Sequence, residues 1–114
     1  MEEVAPEEIE DRIDEVQVVD IRPSEEYAAG HIPGARNLPV DEFAGRVDDL
    51  DWAEEVVLVC HVGEASVQAA RLLESYRGAD GTVASMAGGY RAWDGPLESG
   101  DDPGSDATDS DAPF

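Results

Sequence analysis

Cys60 is the one cysteine in a 114-residue chain, and it lies in the stretch VVLVCHVGEASVQAA, residues 56–70. Residues 56–59 are an unbroken apolar run, the pattern of a strand buried on both faces. Residues 66–76 carry apolar side chains at helical spacing. The thiol therefore stands where a strand ends, and only His61, Val62, Gly63, Glu64 and Ala65 separate it from a helix. A loop closing onto a helix N-terminus presents backbone N–H groups that have no partner inside the helix. Together with the helix dipole they favour an anion. A cysteine at the base of such a loop has its thiolate favoured and its pKa lowered from ~8.5. The anion held could equally be a persulfide, Cys–S–S⁻. Gly63 lets the backbone curl so that successive N–H groups converge. On spacing alone a second reading stays open, in which Cys60 is a small inert core residue at a strand end.

The loop needs a frame, and the rest of the chain supplies one. Pro6 opens a short amphipathic helix to about Glu15, with Ile9 and Ile13 four apart. Val16, Val18, Val19 and Ile21 make a buried strand. Ser24 can cap a short helix that Gly30 ends. His31, Ile32, Pro33 and Gly34 are turn chemistry. Arg36 to Leu38 reads as a short strand, and Asp41 as the cap of a further helix to about Val47 or Leu50. The run GTVASM is another strand, Ala87-Gly88-Gly89 a loop, and Tyr90 to Trp93 a last short helix. Strands alternating with helices predict an α/β fold with a mostly parallel sheet. In such sheets chemistry gathers where loops leave the carboxyl ends of strands. Cys60, Asp20-Ile21-Arg22 and Ala87-Gly88-Gly89 all fall at such ends.

Composition narrows the function. The chain carries 28 acids against seven bases, a formal charge of −21, and every base is an arginine. Such a field repels phosphates and anionic lipid, so neither nucleic acid nor membrane is expected as a partner. Self-repulsion should destabilise the fold at low salt and argues against tight self-association, so a monomer is expected. At ~1 M salt the Debye length falls to about 3 Å, and the repulsion is largely screened. The surface reads as an adaptation to a high-salt cytoplasm, as in halophilic microbes; an ordinary acidic protein with a disordered acidic tail is the second reading. Residues 98–114 are Gly, Pro, Ser, Thr, Ala and acids with a terminal Phe, and cannot bury enough apolar area to offset their ordering. The expected organisation is one domain over residues 1–97 and a disordered acidic tail over 98–114. A single cysteine excludes an internal disulfide, and no His/Cys cluster suggests a metal. With no apolar stretch of ~20 residues and an acidic start, a cytoplasmic location follows as the expectation.

Three segments resemble rhodanese-like domains. VVDIRPSEEYAAGHIPGARNLP, beginning at Val18, is similar to their first signature. VVLVCHVGEASVQAARLL is similar to their active-site segment, with Gly three residues and Ser six residues after the Cys. MAGGYRAWDG resembles their closing Gly-Gly-x-x-x-Trp motif. The three occur in family order and cover residues 16–95. The resemblance implies a five-stranded parallel sheet flanked by helices on both faces. It implies a sulfurtransferase in which Cys60 takes sulfane sulfur as a persulfide from a small donor (persulfide, polysulfide or thiosulfate). The sulfur then passes to a thiol or cyanide. The cradle it implies is His61, Val62, Gly63, Glu64, Ala65 and Ser66, acting through backbone N–H groups. No cofactor and no metal are implied. The alternative within the family is a module that relays sulfur for a partner enzyme, or only docks onto one.

The chain departs from the family where cations or hydroxyls often line the loop. His61 and Ala65 stand there, and Glu64 adds a negative charge, which predicts poor use of the thiosulfate dianion. No Arg lies in the loop, so the bidentate phosphate fork of the phosphatase branch is missing. His61 is expected to lend only its N–H, and His31 to serve the turn. Arg22 is expected to pair with Asp20 or Glu26. Ser66 reads as a helix N-cap, and Gly88-Gly89 as a possible lining of the site mouth. Arg36 and Arg91 are possible rim cations.

Overall fold

The computed structural model describes residues 1–77 and 81–100. Five parallel strands form one sheet in the order β1-β5-β4-β2-β3. In chain order these are β1 (Glu2–Val4), β2 (Gln17–Asp20), β3 (Arg36–Asn37), β4 (Glu55–Val59) and β5 (Thr82–Met86). The helices are α1 (Pro6–Asp11), α2 (Ser24–Ala29), α3 (Val40–Arg46) and α4 (Ala65–Arg77), followed by a 3-10 turn at Gly89–Ala92. The expected α/β architecture with a five-stranded parallel sheet is therefore what the chain adopts.

β4 lies in the middle, and its apolar run is explained by its two coats. Val56, Leu58 and Cys60 pack into one core with Phe43 of α3 and Ala69, Ala70 and Leu73 of α4. Val57 and Val59 pack into the other with Ile9 of α1, Tyr27 of α2 and Trp93. A strand covered on both sides has no solvent face, so alternation disappears from its sequence. On α4 the buried residues are Ser66, Ala69, Ala70 and Leu73, the spacing of one helix stripe.

Several local expectations need correction. β1 has no strand pattern in the sequence, because two of its three residues are exposed glutamates at the sheet edge, pairing only with β5. α1 ends at Asp11 rather than near Glu15. Ser24 does not cap α2 and Asp41 does not cap α3; Pro23 and Pro39 hold those positions, and no side chain makes a cap bond at either. Each proline fixes φ near −55° with an extended ψ, which launches α2 one residue and α3 two residues earlier than expected. The turn is as expected. The Ala35 amide donates to the Ile32 carbonyl at 3.0 Å, with Pro33 and left-handed Gly34 between them.

Most of the acidic segment lies outside the described residues. Its first residues are attached: Glu98 bridges antiparallel to His31, and the Gly100 amide donates to the Ala28 carbonyl. No helix among the described residues is long and apolar enough to cross a membrane.

Candidate active site

The loop from Cys60 to α4 closes around one sulfur atom. The Gly63 amide donates to Cys60 Sγ at 3.0 Å, and the Ser66 amide at 3.4 Å. The Ser66 hydroxyl lies 3.3 Å from the same sulfur. Gly63 has φ +89°, a conformation that a side chain would strain. A Cβ built there would also meet the Gly88 amide nitrogen at 2.9 Å. Glycine is thus required twice, for the curl and for the close approach of the next loop.

Cys60 is only 5% exposed. Burial pushes its thiol pKa up, but the Ser66 hydroxyl and the amides of Ser66, Gly63 and Val62 outweigh it. The net position is below the ordinary thiol value. The geometry therefore favours a charged sulfur, since each of those donors is stronger toward an anion.

Of the residues expected in the cradle, Gly63 and Ser66 make hydrogen bonds to the sulfur, and the Val62 amide adds to what favours its charged form. His61 is exposed, and its carbonyl accepts from the Arg91 amide at 3.1 Å. Glu64 is exposed, and its carbonyl accepts from Val67 in the first turn of α4. Ala65 is half-buried and packs against the core on the α4 side. Ser66 is not an N-cap. It is the second residue of α4 and fully buried, so its hydroxyl faces the sheet instead of the free amides of the helix end.

The closing glycines hold the loop from behind. The Tyr90 amide donates to the Cys60 carbonyl at 2.9 Å. A Cβ at Gly89, whose φ is +60°, would meet the carbonyl carbon of His61 at 2.6 Å. The bareness of Gly89 serves this backbone contact, while Gly88 is exposed and a Cβ there would meet the Ala92 side chain at 2.7 Å. A second network braces the neighbouring strand end. Asp20, fully buried, accepts from the Arg22 guanidinium at 2.8 Å and from the Arg22 amide at 2.9 Å. Arg22 also donates to the Gly30 carbonyl and stacks 3.8 Å over the Tyr90 ring. Of the two expected partners, the pair forms with Asp20. His31 is buried in the turn, stacked on Tyr27, with Nδ1 2.7 Å from the Tyr27 carbonyl.

Two residues of the site escaped the sequence reading. Ser85 of β5 is fully buried with its Oγ 2.6 Å from Ser66 Oγ. Its signal is a polar residue in an otherwise buried strand end. Tyr90, inside the closing motif, ties that motif to both Cys60 and Arg22. A cavity of about 120 Å³ lies far from this chemistry, between α1 and the sheet, lined by Val4, Ile9, Arg12 and Glu55 among others. Its lining contains none of the loop residues, so volume does not mark the site here; the converging donors do. No group of three His, Cys, Asp or Glu side chains that could hold a metal occurs among the described residues.

Comparison with known proteins agrees with this geometry. Residues 5–95 match the family model for the rhodanese-like domain. The thiosulfate sulfurtransferase GlpE of Shewanella oneidensis is 40% identical over 78 residues, a match that takes in 68% of this chain and 75% of that protein. The HTH-type transcriptional regulator Rv0324 of Mycobacterium tuberculosis is 40% identical over 69% of this chain, which spans only 34% of the regulator. A solved rhodanese-like domain protein from Staphylococcus aureus superposes with a TM-score of 0.75 at 30% identity, over 88% of this chain and 99% of that one.

Proposed function

The chain belongs to the rhodanese-like family, and on that premise we propose that it is a sulfurtransferase working through a Cys60 persulfide. The observation that carries this reading is the convergence of the Gly63 and Ser66 amides and the Ser66 hydroxyl on one buried sulfur. In the first half-reaction the Cys60 thiolate attacks the outer sulfur of a donor R–S–S⁻. The donor S–S bond breaks, R–S⁻ leaves with the bonding pair, and Cys60–S–S⁻ forms. In the second, cyanide or a thiolate attacks the outer sulfur, and the electron pair of the S–S bond returns to Cys60. The charge alternates between inner and outer sulfur, and the loop amides stabilise it as an oxyanion hole does. The sulfur carrier in this proposal is Cys60; within the loop His61, Val62, Gly63, Glu64, Ala65 and Ser66, the amides of Gly63 and Ser66 and the Ser66 hydroxyl hold the sulfur, and the other residues set the loop's path.

The partners are small sulfur donors and a thiol or cyanide acceptor, in a high-salt cytoplasm that screens the acidic surface. Intact-mass spectrometry after incubation with a persulfide donor tests the reading. A gain of one sulfur atom on wild type, absent from Cys60→Ser and discharged by cyanide, is the expected result. A chain that gains no sulfur would refute it. A gain that cyanide leaves in place while a protein acceptor removes it would mark a relay module instead.

A further inference from the structure

We propose that Ser85 is a positioning residue that aims the hydroxyl proton of Ser66 at Cys60 Sγ. Alternation along β5 puts Ser85 on the same face as Val83, the face that α4 covers. Ala84 and Met86 point to the opposite core. Ser85 and Ser66 are both fully buried, so each hydroxyl needs a partner in place of water. They are 2.6 Å apart, and Ser66 lies 3.3 Å from Cys60 Sγ.

A serine hydroxyl has one proton to give and two lone pairs to offer. While Cys60 is a neutral thiol, its S–H donates to Ser66 Oγ, and the Ser66 proton turns to Ser85. Once the sulfur is charged it has no proton, so Ser66 must donate to it. The Ser66 oxygen then accepts from Ser85. The two arrangements differ by hydroxyl rotations, with no heavy atom displaced. The charged arrangement is the stronger, because donors to an anion are stronger and a chain of such bonds polarises cooperatively. Ser85 therefore favours charged sulfur without touching it. The consequence for turnover rests on the persulfide reading above, whereas the hydrogen-bond claim stands on the unmodified thiol.

The test is the pH profile of Cys60 alkylation by iodoacetamide, from about pH 6 to 10 across the thiol range. Ser85→Ala should move the profile to higher pH and slow alkylation at neutral pH roughly three- to fivefold, the weight of one buried hydrogen bond. On a Ser66→Ala background the same change should do nothing more, since the intermediary is gone. A folded Ser85→Ala protein with the wild-type profile, or an equal effect without Ser66, would overturn the proposal. A measurement on the unaltered protein guards against a variant that does not fold. The Ser85 Cβ resonance should titrate with the Cys60 midpoint, and an invariant resonance would overturn the proposal as surely. Sulfur loading, read separately by mass, keeps the two ideas apart: a wild-type chain that takes up no sulfur sinks the transfer reading while the Ser85 coupling is still measured on the thiol.

Discussion

The amide of Gly63 points at the sulfur of Cys60 from 3.0 Å, and Gly63 reaches that place only with φ +89°. The same residue lies where a Cβ would meet the Gly88 amide at 2.9 Å and the Met86 carbonyl oxygen at 3.3 Å. One glycine thus joins the sulfur site to the loop that leaves β5. The thiol is not merely near a helix end; two strand ends and their loops are folded around it.

Gly63→Ala should lose most of this. The left-handed backbone costs an alanine about 1 kcal/mol or more, and the clash with Gly88 is with backbone that cannot turn aside. The amide should swing off the sulfur. Alkylation of Cys60 at neutral pH is expected to fall about tenfold, and thermal melts should show a less stable fold. Unchanged alkylation would mean that Gly63 serves the turn alone.

Charge on Cys60 should also appear in stability. Its folded pKa is depressed, because the donors in the loop outweigh burial. A depressed acid contributes stability that is fully present above the unfolded thiol value of ~8.5, and that is lost as pH falls through the folded value. Urea unfolding of wild type and Cys60→Ser, compared across pH, should therefore show wild type gaining on the variant as pH rises toward ~9 and levelling above it. A difference that is flat, or that shrinks with rising pH, would show a sulfur that the fold prefers neutral.

The sequence made the site's centre legible because its constraints are local. Cys60, Gly63 and Ser66 lie within one loop and one helix turn, and their spacing follows from how many residues encircle an atom. The two-sided burial of β4 was equally readable from its run of valines and leucine. What could not be read was contact across the sheet. Ser85 approaches Ser66 only because β4 and β5 pair in register, Val56 beside Val83 and Leu58 beside Ser85. β1 was hidden for a different reason. An edge strand of two glutamates and a valine has no pattern of its own, and it is held by its pairing with β5. The helix starts at Pro23 and Pro39 were misplaced because Ser24 and Asp41 offered the more familiar capping chemistry one or two residues later.

Glu64 should weaken the use of an anionic donor. It is exposed on the sulfur loop, in a chain with a formal charge of −21. A carboxylate a few Å from a bound dianion opposes it by about 1 kcal/mol in a watery setting. Glu64→Gln should lower the Michaelis constant for thiosulfate about fivefold at low salt, with little change in turnover number. The advantage should narrow in molar salt, where the Debye length is about 3 Å. A Michaelis constant that ignores both the substitution and the salt would show that charge does not set thiosulfate use.

Stability should follow the same screening. Added sodium chloride, up to ~1 M, is expected to raise the melting temperature by shielding the acidic surface. Potassium chloride at equal ionic strength should do much the same if screening is the cause. A melting temperature that falls as salt is added would set the high-salt reading aside.

Asp20 and Arg22 offer the sharpest test of how the frame supports the loop. Asp20 is fully buried, and its carboxylate takes the Arg22 amide, Nε and Nη2. Arg22 in turn lies over Tyr90, whose amide holds the Cys60 carbonyl. Removing one member of a buried pair leaves the other's charge uncompensated, at a cost of about 3–5 kcal/mol, while replacing both by apolar groups can be nearly neutral. Asp20→Asn should therefore destabilise strongly, softened by the bond from Arg22 to the Gly30 carbonyl. Adding Arg22→Met should recover much of the loss. Recovery of stability without recovery of Cys60 alkylation would place the pair's role in the path from Tyr90 to the sulfur loop. If the double variant is as unstable as the two single losses added together, the pair is not acting as a unit, and the braced strand end explains nothing about the loop.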